Sequence, residues 1–207
     1  MGESEWEGGF DLPDDTWVLL NVRDDGAPAR AAREVAERGG EHAASYAEAL
    51  LPELESLHAA GRRQGAAPFA VWVPETPRQA DPLIPLVAYV VRQESPDAGR
   101  TVEAVAEVCR EPGPSRLGEV DIREVELPAG PACRVRELTL AAETDDGRYT
   151  VAEHVTFYVL AEAWPEGILQ FSVTWTIPGL GDAFAEEADA MAHTLWMARR
   201  DSGAALR

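Results

Sequence analysis

Side chains that move protons near neutral pH are scarce in this chain: its histidines are His42, His58, His154 and His193. Holding a metal needs two or more ligands that converge, commonly three or four residues apart on a helix. Asp189 and His193 have that spacing, with Glu186 one turn earlier, but they lie off the apolar stripe of their helix and fit a solvated face. His58 falls near a helix end, where the helix dipole favours a cation. His154 is the one histidine on a predicted strand. The hairpin register places Thr139 opposite it, Thr156 beside it and Glu137 diagonal to it. A set of Glu137, His154 and Tyr158 has the types needed for proton transfer. The same residues also fit a polar, half-exposed sheet face.

Nucleophilic catalysis needs Ser or Cys beside a base and an oxyanion hole. No Gly-x-Ser-x-Gly is present, and Ser172 lies inside a regular strand, away from the sharp turn such serines occupy. The cysteines, Cys109 and Cys133, make no disulfide framework in a chain of this length and read as small buried thiols, with a bridge or redox pair as the alternative. Gly179-Leu180-Gly181 opens a helix, but Asp182 in the cap position would occupy its free amides. There is no Gly-x-Gly-x-x-Gly and no lysine anywhere, so an anion could be met only by arginine. No cofactor is implied.

The elements that position these residues read as follows. Residues 1–14 form an acidic arm carrying Trp6 and Phe10, expected to be flexible; aromatics among acids suit partner binding, or the arm folds back. Residues 15–199 form one α+β domain and 200–207 a tail. Trp17–Val22 reads as a strand. Residues 29–63 read as helix broken at Gly39-Gly40, with Tyr46, Leu50, Leu54 and Leu57 on one stripe and a kink or restart at Pro52. Ala67–Val73 and Leu83–Arg92 read as strands covered on both faces. Thr101–Arg110 is a short helix. A meander of hairpins follows, turning at Pro128–Pro131, at Asp145–Arg148 and at Pro165–Gly167. A last helix, capped by Asp182, runs to about Arg199.

The turns sort the meander into two faces. They place Leu138 opposite Val155 and Phe157 opposite Trp175. One face then carries Leu138, Leu140, Val155, Phe157, Val159, Phe171, Val173 and Trp175, and is expected to take the long helices. The other carries Glu137, Thr139, His154, Thr156, Tyr158, Ser172 and Thr174, and is where any ligand or chemistry should lie. The expected fold is thus a mainly antiparallel meander sheet flanked by long N-terminal and C-terminal helices.

The chain of 207 residues is strongly acidic, with a net charge of −19. Phosphate backbones and anionic lipid heads repel such a surface, which argues against nucleic acid and leaves a protein partner with a basic patch. The longest apolar run, Leu86–Val91, is too short to span a bilayer, and the acidic start does not resemble a secretory signal; both favour a cytoplasmic protein.

The meander with Pro-Ala-Gly-Pro before a strand, then Gly167-Ile168-Leu169-Gln170-Phe171-Ser172-Val173-Thr174, a short break and a closing helix resembles the PsbP-like α/β/α sandwich superfamily, in the versions found in high-GC actinobacteria. The resemblance covers most of residues 15–198 as a pattern of elements, without a chemical motif to carry over. It implies a binding role: such proteins serve as photosystem extrinsic subunits, a Ran-binding import factor and chaperones for secreted effectors. The expected function is a non-catalytic cytoplasmic adaptor, chaperone or assembly protein. The alternative is a small-molecule binding domain or weak enzyme using the face around His154.

Overall fold

The computed structural model describes residues 6–38, 42–75, 82–95, 99–143 and 149–199. The expected Gly39-Gly40 break, the Asp145–Arg148 turn and the 200–207 tail lie outside the described residues. The fold is α+β, as the alternation of turns and apolar runs predicts.

Strands β1 (Trp6–Gly9) and β2 (Trp17–Leu19) precede helices α1 (Ala27–Glu37) and α2 (Ala43–Gln64). Strands β3 (Phe69–Trp72) and β4 (Leu86–Glu94) lead to helix α3 (Val102–Arg110). The meander is β5 (Arg116–Leu127), β6 (Gly130–Glu143), β7 (Tyr149–Val159) and β8 (Gly167–Trp175). A 3-10 turn enters α4 (Gly181–Ala192), and β9 (Trp196–Arg199) closes the described chain. Among the described residues, one sheet holds seven strands in the order β2-β3-β4-β8-β7-β6-β5, each adjacent pair antiparallel, and β1 pairs with β9 in a separate ribbon.

The meander faces come out with the expected parity but a different register. His154 pairs with Glu137 rather than Thr139, and Val155 with Arg136 rather than Leu138, a slip of two residues. Phe157 pairs with Phe171 rather than Trp175, a slip of four. Even slips leave every side chain on its own face, because side chains alternate with period two. An irregularity between Leu140 and Glu143 separates the β6–β7 pairing from the turn that was used to count it.

Which helices cover which face is the larger correction. The apolar face, with Val155, Phe157, Phe171, Val173 and Trp175, takes α4 through Phe184, Ala188 and Met191. The long helices α1 and α2 lie on the opposite face, where Tyr46, Leu50 and Leu54 pack over β2, β3 and β4 through Val18, Phe69 and Val71. Helix α3 sits on that same face further along, over β5 and β6. β3 and β4 are covered on both sides, as their continuous apolar runs predict. α2 is one helix of 22 residues with Pro52 inside it, not two segments.

The ends also differ from expectation. The last helix stops at Ala192, and the chain turns to make β9, so Trp196 leaves the expected helical stripe and is exposed. Asp182 is in the first turn of α4 rather than at its cap. The acidic arm is not a loose tail over residues 6–12. Its backbone pairs with β9, the Asp11 amide donates to Thr194 Oγ1 at 2.8 Å, and Leu12 packs on the core. Phe10 is buried, with its ring 5.0 Å from that of Phe171. Phe10 is therefore a core residue and not an exposed partner anchor.

Candidate functional site

On the face that carries α1, α2 and α3, β7 and β8 run between the α1–α2 patch and the α3 patch. Their outward side chains are the sequence candidates. His154, Thr156 and Tyr158 come from β7, Ser172 and Thr174 from β8, and Glu137 from β6. Alternation alone delivers them to one strip. Tyr89 of β4, directly across from Ser172, joins them.

Within the strip the polar atoms bond one another. His154 Nε2 is 2.7 Å from Thr139 Oγ1, and Nδ1 is 2.8 Å from Thr174 Oγ1. In the neutral ring one nitrogen donates and the other accepts, and threonine hydroxyls serve either role. Thr156 Oγ1 and Ser172 Oγ lie 3.0 Å apart, and Gln170 Nε2 donates to Ser172 Oγ at 2.9 Å. Tyr89 faces Ser172 across the β4–β8 pair, beside Thr174. Glu137 turns instead to Arg116, whose Nε donates to Oε2 at 2.7 Å. The expected Glu137–His154–Tyr158 set thus shares a face, but its carboxylate is spent on an arginine and its imidazole on two threonines.

Burial sets the electrostatics. It holds His154 below the usual histidine range, against the opposing pull of Glu137 and Glu153, so the ring is neutral at pH 7. Burial also pushes the Tyr89 hydroxyl up, and pushes Tyr158 well above the usual range with help from Cys109 and Glu137. A neutral imidazole between two hydroxyls and two tyrosines that keep their protons can position a polar ligand.

Two side-chain clusters depart from the expected faces. Arg134, Arg136 and Glu153 lie on the apolar face and tie it to α4. Arg134 donates from Nε to Asp189 Oδ1 at 2.6 Å, also reaches Asp121, and stands over the Phe157 ring. Arg136 bridges Glu153 at 2.6 Å and Asp182 at 2.9 Å, while Glu153 accepts from Trp175 Nε1 at 3.0 Å. The signal was present: these residues share parity with Val155 and Leu138, so charge stood on a core face. Asp189 is spent there, and His193 Nδ1 lies 2.8 Å from the Asp189 backbone oxygen, so that pair is not aimed at a metal. The second cluster holds Cys109 of α3 and Cys133 of β6, which the sequence reads as small buried thiols. Trp6 shares in the β1–β9 pairing, and its side chain lies outside what the structure describes.

No family model matches the chain, and no curated protein matches it. A solved structure it is similar to is that of LpqN, involved in cell envelope biogenesis of Mycobacterium tuberculosis. The TM-score is 0.48 at 13% sequence identity, over 95% of this chain and 87% of that one. A likeness at that level carries no argument about what this chain does.

Proposed function

We propose that the protein is a non-catalytic interaction protein of the PsbP-like sandwich kind, acting in the cytoplasm as an adaptor, chaperone or assembly factor for a protein partner with a basic surface. The observation that carries this reading is the state of the polar strip. Its imidazole is held between Thr139 and Thr174, and its carboxylate is paired with Arg116. Side chains so engaged stiffen a sheet face, since cross-strand polar pairs stabilise neighbouring strands. The net charge of −19 supplies the partner preference, because opposite charge steers encounter and like charge repels. No described helix is long and apolar enough to cross a membrane.

The test is affinity capture with the tagged full chain, followed by reconstitution of each reproducible partner as a purified pair. A binary complex whose association slows steeply with salt is expected. A partner bound with no salt dependence, or no binary complex at all, would overturn the reading.

A second reading is binding of a small polar molecule on the strip, favoured by the half-exposed Tyr89, Tyr158 and Gln170 that flank Ser172. A ligand that raises Tm in the native chain but not in His154→Ala would select it.

A further inference from the structure

Cys109 stands on the last turn of α3, half-buried, and Cys133 is fully buried on β6 beneath it. They are 24 positions apart in sequence, and β5 lies between them. Packing of α3 on β5 and β6 through Val105, Ala106 and Val135 brings both cysteines into one cluster of side chains, with Cys133 inside it and Cys109 packed against it. The start of α3 is fixed separately. Arg100 donates from Nε to Gly167 O at 2.9 Å and from Nη2 to Ala161 O at 2.7 Å. At the other end, Arg110 and Arg116 line an open cleft of about 340 Å³ with Pro112, Gly118, Glu119 and Val120. Arg116 reaches back to hold Glu111 O at 2.7 Å, at the residue that follows α3.

We propose that Cys109 and Cys133 are a redox-active dithiol that gives two electrons to a small disulfide by thiol–disulfide exchange and closes into an intramolecular bond pinning α3 to β6. Cys109 is the attacking thiol because it is the more accessible and has an arginine-lined cleft beside its helix end. Its thiol is held below the usual range by the hydrogen bond with Cys133, with Arg116 and the Tyr158 hydroxyl adding to this against burial and Glu137. Cys133 is pushed far up by that same bond and by burial, so it keeps its proton until Cys109 has reacted. The Cys109 thiolate attacks one sulfur of the small disulfide and releases the other as thiolate, giving a mixed disulfide. Cys133 then loses its proton to that thiolate or to water and attacks Cys109 Sγ, releasing the second small thiol. The protein is oxidised by two electrons and the small disulfide is reduced to two thiols.

The proposal rests on the two sulfurs and stands whether or not the adaptor reading does. The test uses the full chain, reduced, desalted and then treated with oxidised glutathione under native conditions. Intact mass, thiol counting after denaturation and a urea midpoint are the readouts. The wild type is expected to lose both thiols, to lose two hydrogens in mass, to form no disulfide between chains and to gain resistance to urea. Cys133→Ser should stop at a single glutathione adduct on Cys109, and Cys109→Ser should react slowly while folded. A wild type that ends as a stable adduct or covalent dimer, or that keeps both thiols, overturns the proposal. If Cys133→Ser fails to fold, the wild-type time course decides alone: an adduct on Cys109 must appear and then give way to the closed form.

Discussion

Replacing Phe10 by Ala separates an ordered, core-bound arm from a flexible one. The Phe10 ring is only 8% exposed and packs against Phe171, within the cluster that includes Phe157, Trp175 and Phe184. Truncating a buried Phe costs about 3–5 kcal/mol through lost transfer energy and the cavity left behind. The arm hangs on a four-residue ribbon and can partly collapse into the gap, so the low end, about 3 kcal/mol, applies here. For a chain of 207 residues each kcal/mol lowers Tm by about 2–4 °C, so Phe10→Ala should lower it by about 6–12 °C. Phe10→Leu, which refills most of the volume, should recover about half of that loss. Calorimetry gives Tm, and urea titration should show the midpoint falling with its slope retained. An exposed partner anchor would instead change stability by no more than about 0.5 kcal/mol. A Tm shift below about 2 °C would refute the packing argument and return Phe10 to the surface.

Three other outcomes follow from the same geometry. Because burial holds His154 below 6.5, the folded chain binds fewer protons than the unfolded chain just below that pH; this part of the stability is full above 6.5 and falls as pH drops through the window, and urea midpoints of His154→Asn should lack that fall relative to wild type. Glu187 has the opposite sign: burial raises its carboxyl above 4.5 despite the Trp17 Nε1 bond at 2.9 Å, so the folded state holds more protons and stability falls as pH rises through its window. Glu187→Gln keeps the acceptor and should be at least as stable as wild type at pH 7, whereas a loss above about 1 kcal/mol would contradict this. A Cβ added at Gly181 would run into Glu153 Oε2 and come within 3.0 Å of Arg136 Nη2, both held in place by Trp175 and Asp182. Gly181→Ala should therefore cost about 1–3 kcal/mol by thermal unfolding despite its better helix propensity, and an unchanged Tm would mean the network yields freely.

The candidate strip shows how far local pattern reaches. Alternation placed Glu137, His154, Thr156, Tyr158, Ser172 and Thr174 on one face, and they do share it. Partners were less legible, since a slip of two residues moved Glu137 directly across from His154 while Thr139 still reached its ring diagonally. Neither the Arg116 that takes Glu137 nor the Tyr89 that faces Ser172 lies on β6, β7 or β8, the three strands of the meander count. Core residues on an acidic arm were hidden for a related reason. Phe10 sits in a polar stretch with no periodicity of its own, and only its docking against Phe171 makes it apolar core.

What the sequence determined by itself, with β1 and β9 escaping it, is the strands β2 to β8 and the helices that alternate with them, the parity of each meander face and the net charge. Those depend on near-neighbour geometry: two-residue alternation, helical spacing and turn chemistry act over a few positions. The tertiary structure decided that α4 rather than the long α1–α2 pair covers the apolar face, that β9 captures the arm, and that Cys109 meets Cys133. Each of these depends on the order of strands across the sheet and on which face a connection crosses. Such choices are fixed by the summed burial of many distant residues, and no local run of side chains carries them.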